Sequence, residues 1–204
     1  MYYDSEDYLS SINSYRSQLF QYLQSDQPLI QYFYEKLEFN DFAEGKSFSS
    51  SDFHHIKDHG FTNVDLVTTL SDSLLITLYG KYEYLLTVLC DVVQGSLRIG
   101  ISYKMMKGQG IIASIKYLDN LLNIDIGKSD IYRNNIAIWL LLRNIIAHNY
   151  SVPDESHYVQ LYNINIHTDG EKVLTSMNDC IRLITDFKSF FNLVFDKLLN
   201  IEND

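Results

Sequence analysis

The segment from Ile131 to about His148 constrains the fold most. Ile136-Ala137-Ile138-Trp139-Leu140-Leu141-Leu142 is the longest continuous apolar run in the chain. On a helix of 3.6-residue period this segment is apolar nearly all round, so it has no face suited to water and must be central. Asp130 is a potential cap at its start, and Pro153 stops it. Seven residues are far too few to cross a bilayer, which takes about 20. The rest of the chain therefore has to wrap this helix, which predicts a mainly α fold.

The flanking periodicities agree. Tyr8, Leu9, Ile12, Tyr15, Leu19, Phe20 and Leu23 recur at helical spacing over 4–24. Pro28 suits the first turn of a second helix through Leu37. From Asn40 to Gly60 the pattern breaks into Ser, Gly, His and Asp, which predicts a linker. The chain accordingly divides into an N-terminal helical appendage with its linker (1–60) and a main helical domain (61–204). The main domain starts near Asn63, with Asp65 or Asp72 as caps, and runs to about Val93 with Leu74, Leu75, Leu78, Tyr82, Leu85, Leu86 and Leu89 inward. Gly95 to Gly110 reads as a connection or a frayed helix end. Ile111 to Leu122 is a short helix with Ile115, Leu118, Leu121 and Leu122 inward. The alternation of Tyr158 to Ile166, the turn residues Thr168-Asp169-Gly170 and then Lys172-Val173-Leu174 predict a small β-hairpin. A last helix starts at Ser176 or Asn178 and ends at Leu199, burying Ile181, Ile184, Phe187, Phe191, Val194, Phe195 and Leu198.

Composition narrows the function classes. A chain of 204 residues with 46% hydrophobic residues buries a real core, and 2 Pro and 9 Gly leave room for long helices. The start, Met1-Tyr2-Tyr3-Asp4-Ser5-Glu6-Asp7, is acidic and reads as no secretory signal. Two cysteines, Cys90 and Cys180, make no disulfide framework, so a reducing cytoplasm is expected. The net charge of −10 argues against a general nucleic-acid coat. Residues 81–150, with 8 basic and 5 acidic groups, are the one positive stretch, against net charges of −6 over 1–60, −2 over 61–80 and −5 over 151–204. Short segments also fluctuate by a few charges, so both readings of that stretch stand. His54, His55 and His59 hint at a metal site, but no complementary cluster accompanies them and no metal is expected there.

The central helix closes in Arg143-Asn144-Ile145-Ile146-Ala147-His148-Asn149-Tyr150. An Arg with a His four to six residues later arises by chance about 0.4 times in such a composition, whereas the pattern with the Asn and Tyr arises on the order of 0.001 times. Only the extended pattern is informative. Cleavage of RNA by its own 2′-OH needs a base or acid working near neutral pH, for which His148 is the natural group. It also needs a fixed cation where charge develops on the phosphate oxygens, and Arg143 offers a bidentate fork. Asn144 can orient the imidazole or a phosphate, and it shares a helix face with His148. Arg143 and His148 do not share one: five residues place them about 140° apart. They converge if the helix is distorted or ends there, if the arginine arcs over, or if a twofold partner completes the cleft. The structural alternative is that both residues merely favour a helix C-terminus.

The pattern R-N-x-x-x-H-x-Y resembles the signature of the HEPN (higher eukaryote and prokaryote nucleotide-binding) ribonuclease superfamily. Tyr79-Gly80-Lys81-Tyr82-Glu83-Tyr84-Leu85 is similar to the aromatic-plus-glutamate segment of that family's first long helix, and Gly110-Ile111-Ile112 with Tyr117-Leu118 to a segment of solo bacterial members. The likeness covers about residues 65–200. It implies a helical bundle, a homodimer, and metal-independent RNA cleavage with no cofactor, in a toxin or antiphage defence effector. The Arg-x4-His-x-Tyr spacing also resembles toxins whose nucleotidyltransferase antitoxin modifies the Tyr, which makes Tyr150 a possible regulatory position. Glu83 is the best remaining carboxylate to hold Arg143, or else a solvated glutamate beside Lys81. The competing function is a catalytically inactive helical dimer that binds RNA, a nucleotide or a partner protein.

Overall fold

The computed structural model describes residues 5–38, 63–148, 159–162, 166–169 and 172–200. The fold is mainly α, with one small β element before the last helix. The elements are α1 (Ser5–Glu38), α2 (Asn63–Ser96), a 3-10 turn (Tyr103–Met105), α3 (Gly110–Leu122), a π-helical segment (Tyr132–Ile136), α4 (Ala137–Ala147), β1 (His167–Asp169), β2 (Lys172–Leu174) and α5 (Met177–Leu199). No helix among the described residues is long and apolar enough to cross a membrane.

The described residues form two compact units. The first draws on Met1–Gln24, Tyr79–Trp139 and Thr185–Asp204, the second on Ser25–Leu78 and Leu140–Ile184. In the first, the i, i+4, i+11 stripe of Tyr8, Ile12 and Leu19 on α1 is fully buried, and Tyr8 Oη donates to the Leu198 carbonyl at 3.2 Å. Phe187 stacks edge-on to Tyr79 and Phe190 and tilts against Tyr82, so α2 and α5 meet through aromatic rings. Trp139 is 1% exposed, and its indole N–H donates to Asp186 Oδ2 at 2.7 Å, which satisfies the one polar atom of that side chain. In the second unit, Leu75, Leu78, Leu142, Ile145, Leu161, Ile166, Val173 and Leu183 are buried.

Five expectations need correction. Helices predicted over 4–24 and from Pro28 are one continuous α1 with Pro28 inside it. The carbonyl that Pro28 leaves without a backbone partner belongs to Gln24, and both residues are exposed, so water can take the hydrogen bond. Asp72 is no cap: it is 3% exposed within α2 and accepts from Thr175 Oγ1 at 2.5 Å. The cap before the π segment is Ser129 rather than Asp130; its carbonyl accepts from Arg133 N–H and its Oγ from Tyr132 N–H. Within the alternating stretch predicted as a strand, the described residues 159–162 form a helical turn instead, with Leu161 buried. The hairpin instead pairs His167 with Leu174, Thr168 with Val173 and Asp169 with Lys172, which puts Thr168 and Asp169 in a strand rather than the turn.

Other boundaries agree with their local chemistry. α2 ends in a Schellman motif: Ile99 N–H bonds to Gln94 O at 3.0 Å and Arg98 N–H to Gly95 O at 3.2 Å, with Arg98 at φ 51°. α5 opens on a capping box, in which Asp179 Oδ2 accepts from Ser176 N–H at 2.9 Å while Ser176 Oγ faces Asp179 N–H at 3.4 Å. Ile181 is only half-buried, whereas Cys180, Leu183 and Phe190 join the predicted face. Leu121 and Leu122 on α3 are likewise half-buried. The predicted linker around 40–60, with His54, His55 and His59, lies outside the described residues.

Candidate functional site

The last turn of α4 carries Arg143 and Asn144, and His148 follows at once; all three belong to the second unit. The opposite side of this turn is anchored by Leu142, Ile145 and Ile146, at 1%, 3% and 6% exposure. Arg143 and Asn144 are half-buried and His148 is exposed, so the three polar residues lie at the surface of a firmly packed helix end. Tyr150 lies outside the described residues.

α4 is a regular α-helix through Arg143 and closes at His148. The His148 N–H is shared between Asn144 O at 3.0 Å and Ile145 O at 3.2 Å, the three-centre bond common at helix termini. Among the described residues of the motif, no helix distortion brings Arg143 and His148 together. The π segment lies a full turn or more upstream, at Tyr132–Ile136.

The arginine reaches round instead. Arg143 Nη1 donates to Asn144 Oδ1 at 3.0 Å. Neighbours i and i+1 do not normally face each other on a helix, so the length of the arginine makes this bond. Taking Arg143 as zero, Asn144 projects at about 100° and His148 at about 140°. A guanidinium held at Asn144 is therefore drawn to about 40° from the direction of His148. Asn144 spends its carbonyl oxygen on the arginine and keeps its NH2 donors. Among the described residues the imidazole makes no hydrogen bond. The result is a fixed cation, an amide donor and an imidazole on one exposed helix end.

No family model, curated protein or solved structure matches the chain. What the site can do rests on its own chemistry.

Glu83 belongs to the first unit and Arg143 to the second. Within the first unit the Glu83 carboxylate lies against Gly110, where an added Cβ would overlap it. Gly110 is the first residue of α3, and the preceding Gln109 makes no side-chain cap bond, so Glu83 faces the positive end of that helix dipole. Lys81, its neighbour in sequence, sits 5.8 Å from the ring centre of Tyr22.

Sequence reasoning misses two polar features of the first unit. Asp119 accepts from the backbone N–H groups of Ile126 at 2.6 Å and Gly127 at 2.9 Å and so closes the loop after α3. Burial raises its pKa, and those two bonds oppose the rise. The second is the π segment, a form often found near functional sites, which no residue pattern in Tyr132–Ile136 announces. Both thiols are buried and free; burial pushes Cys90 and Cys180 each up to about 12.

Proposed function

We propose that this protein is a metal-independent endoribonuclease in which Arg143, Asn144 and His148 act together at the end of α4. The observation that supports it is the Arg143–Asn144 hydrogen bond, which turns the guanidinium toward the side of the helix where His148 projects. In the proposed reaction the 2′-oxygen attacks the adjacent phosphorus and the bond to the 5′-oxygen breaks. His148 accepts the 2′-hydroxyl proton or delivers one to the leaving 5′-oxygen. Arg143 neutralises the charge that builds on the non-bridging phosphate oxygens, where its fork matches their geometry. Asn144 holds that fork in place before substrate arrives, and preorganisation of this kind lowers the barrier without later rearrangement.

The wider setting is part of the same proposal: a HEPN-like toxin or antiphage effector of the cytoplasm. It acts as a homodimer, with a regulatory or antitoxin protein as partner and Tyr150 as a modifiable residue. The exposure of His148 favours this reading over a catalytically inactive binding dimer, whose motif has no need to reach solvent. The test is end-group analysis of RNA incubated with purified protein in EDTA. Products carrying a 2′,3′-cyclic phosphate and a 5′-OH are expected; cleavage that depends on Mg²⁺ or leaves a 3′-OH contradicts the mechanism.

A further inference from the structure

Between Asp91 and Asp119 the chain carries Arg98, Lys104, Lys107 and Lys116 and no acidic residue at all, in a protein of net charge −10. All four cations are exposed and all lie in the first unit. Local structure gathers three of them: Lys116 on α3 donates to the Lys107 carbonyl at 3.1 Å, and Lys107 comes two residues after the 3-10 turn that holds Lys104. The Lys104 ammonium sits 5.9 Å from the ring centre of the half-exposed Tyr103. Ile101 and Met105, at 48% and 73% exposure, add an apolar surface beside them. The segment therefore sets cations beside bare apolar groups on the surface of an acidic protein, and carboxylates from outside it approach at two places: Glu83 lies against Gly110, and Asp7 and Asp91 line a pocket with Arg98.

We propose that this segment, from Arg98 through the Tyr103–Met105 turn to Lys116, is a docking surface for single-stranded RNA, with the cations on the phosphates and Tyr103 as a base-stacking platform. It rests on the ribonuclease reading for its choice of partner. Cations interleaved with an aromatic ring are the arrangement that holds single strands without reading their sequence. An anionic membrane fits less well, because surface binding usually uses a helix with a broad apolar face, and the turn here spans only Tyr103–Met105.

The test uses full-length His148→Ala protein and a fluorescent 2′-O-methyl oligouridylate about 12 nucleotides long, so that binding is read without cleavage. Anisotropy titrations at several salt concentrations should give a log–log slope of about −3, because each phosphate contact to a single strand contributes about −0.7. Adding Lys104→Ala, Lys107→Ala and Lys116→Ala together should weaken binding tenfold or more and reduce the slope in magnitude by about 2. These side chains are exposed, so the melting temperature should hold; if it falls, the three single variants, each reducing the slope by about 0.7, replace the triple. Tyr103→Ala should weaken binding several-fold at unchanged slope, and no effect there removes the stacking role. Unchanged affinity and slope in the lysine variants overturn the proposal, as does a parent protein that binds no RNA or binds only phosphatidylserine vesicles. RNA binding without cleavage by the native protein would sink the ribonuclease reading and leave this surface standing. Cleavage with no lysine dependence would do the reverse.

Discussion

Arg143 and His148 stand on different sides of a regular helix, and Asn144 lies between them in angle. In the proposed mechanism that ordering gives the asparagine a role distinct from both: through its hydrogen bond it positions the arginine. Asn144→Ala should leave the melting temperature nearly unchanged, since the residue is half-buried and opens no core cavity. It should lower RNA turnover by roughly 10- to 100-fold, the loss of a preorganised contact rather than of the charge. Arg143→Lys should lose more, because an ammonium keeps the charge but not the fork. A variant Asn144→Ala with wild-type turnover contradicts the positioning role. The two thiols allow a separate check. Burial holds Cys90 and Cys180 at about 12, above their ordinary value near 9. The unfolded chain therefore releases these protons first, and stability should fall as pH rises from about 9 toward 12. Native protein at pH 8 should resist a thiol-specific disulfide reagent that labels both cysteines once denaturant is added. Rapid native labelling would show the burial to be wrong. Of the site itself, the sequence makes the residue types and the helix end legible. The Arg143–Asn144 bond is not legible, because adjacent helix positions do not usually meet. Nor is the seat of Glu83, which depends on a glycine far along the chain.

At the scale of elements, periodicity predicts the long helices, α1 as two pieces, and most of their buried faces. It fails where two rules compete. Pro28 reads as a helix start, yet it lies inside α1 because its missing bond faces solvent. The alternation of 158–166 reads as a strand, yet a helical turn at 159–162 buries Leu161. Alternation over a short run does not distinguish the two when burial comes from the tertiary fold. The junction of α2 and α3 gives a firm prediction. Gly110 has φ 55°, and an added Cβ would overlap the Glu83 carboxylate. Gly110→Ala should cost about 1–2 kcal/mol for the left-handed backbone alone, plus the overlap. Adding Glu83→Ala should recover the overlap part only, so the double variant should melt between the single variant and wild type. If Gly110→Ala melts at the wild-type temperature, the close approach of Glu83 is wrong. The capping box of α5 predicts a smaller loss, about 1 kcal/mol for Ser176→Ala.

At the scale of the whole molecule, a net charge of −10 argues against a general nucleic-acid coat, so the RNA contact proposed above is confined to the basic segment. The homodimer belongs to the proposed function, and light scattering at micromolar concentration tests it: a dimer is expected, and a fully active monomer contradicts it. The central claim is that the end of α4 is catalytic rather than a well-capped helix terminus. The most direct measurement is RNA turnover in EDTA, set against melting temperature, for wild type and His148→Ala. His148 is exposed, so its truncation should leave the melting temperature unchanged. Turnover should fall on the order of 100-fold or more if the imidazole moves a proton in the reaction. A His148→Ala protein that melts normally and cuts RNA at the wild-type rate contradicts the account.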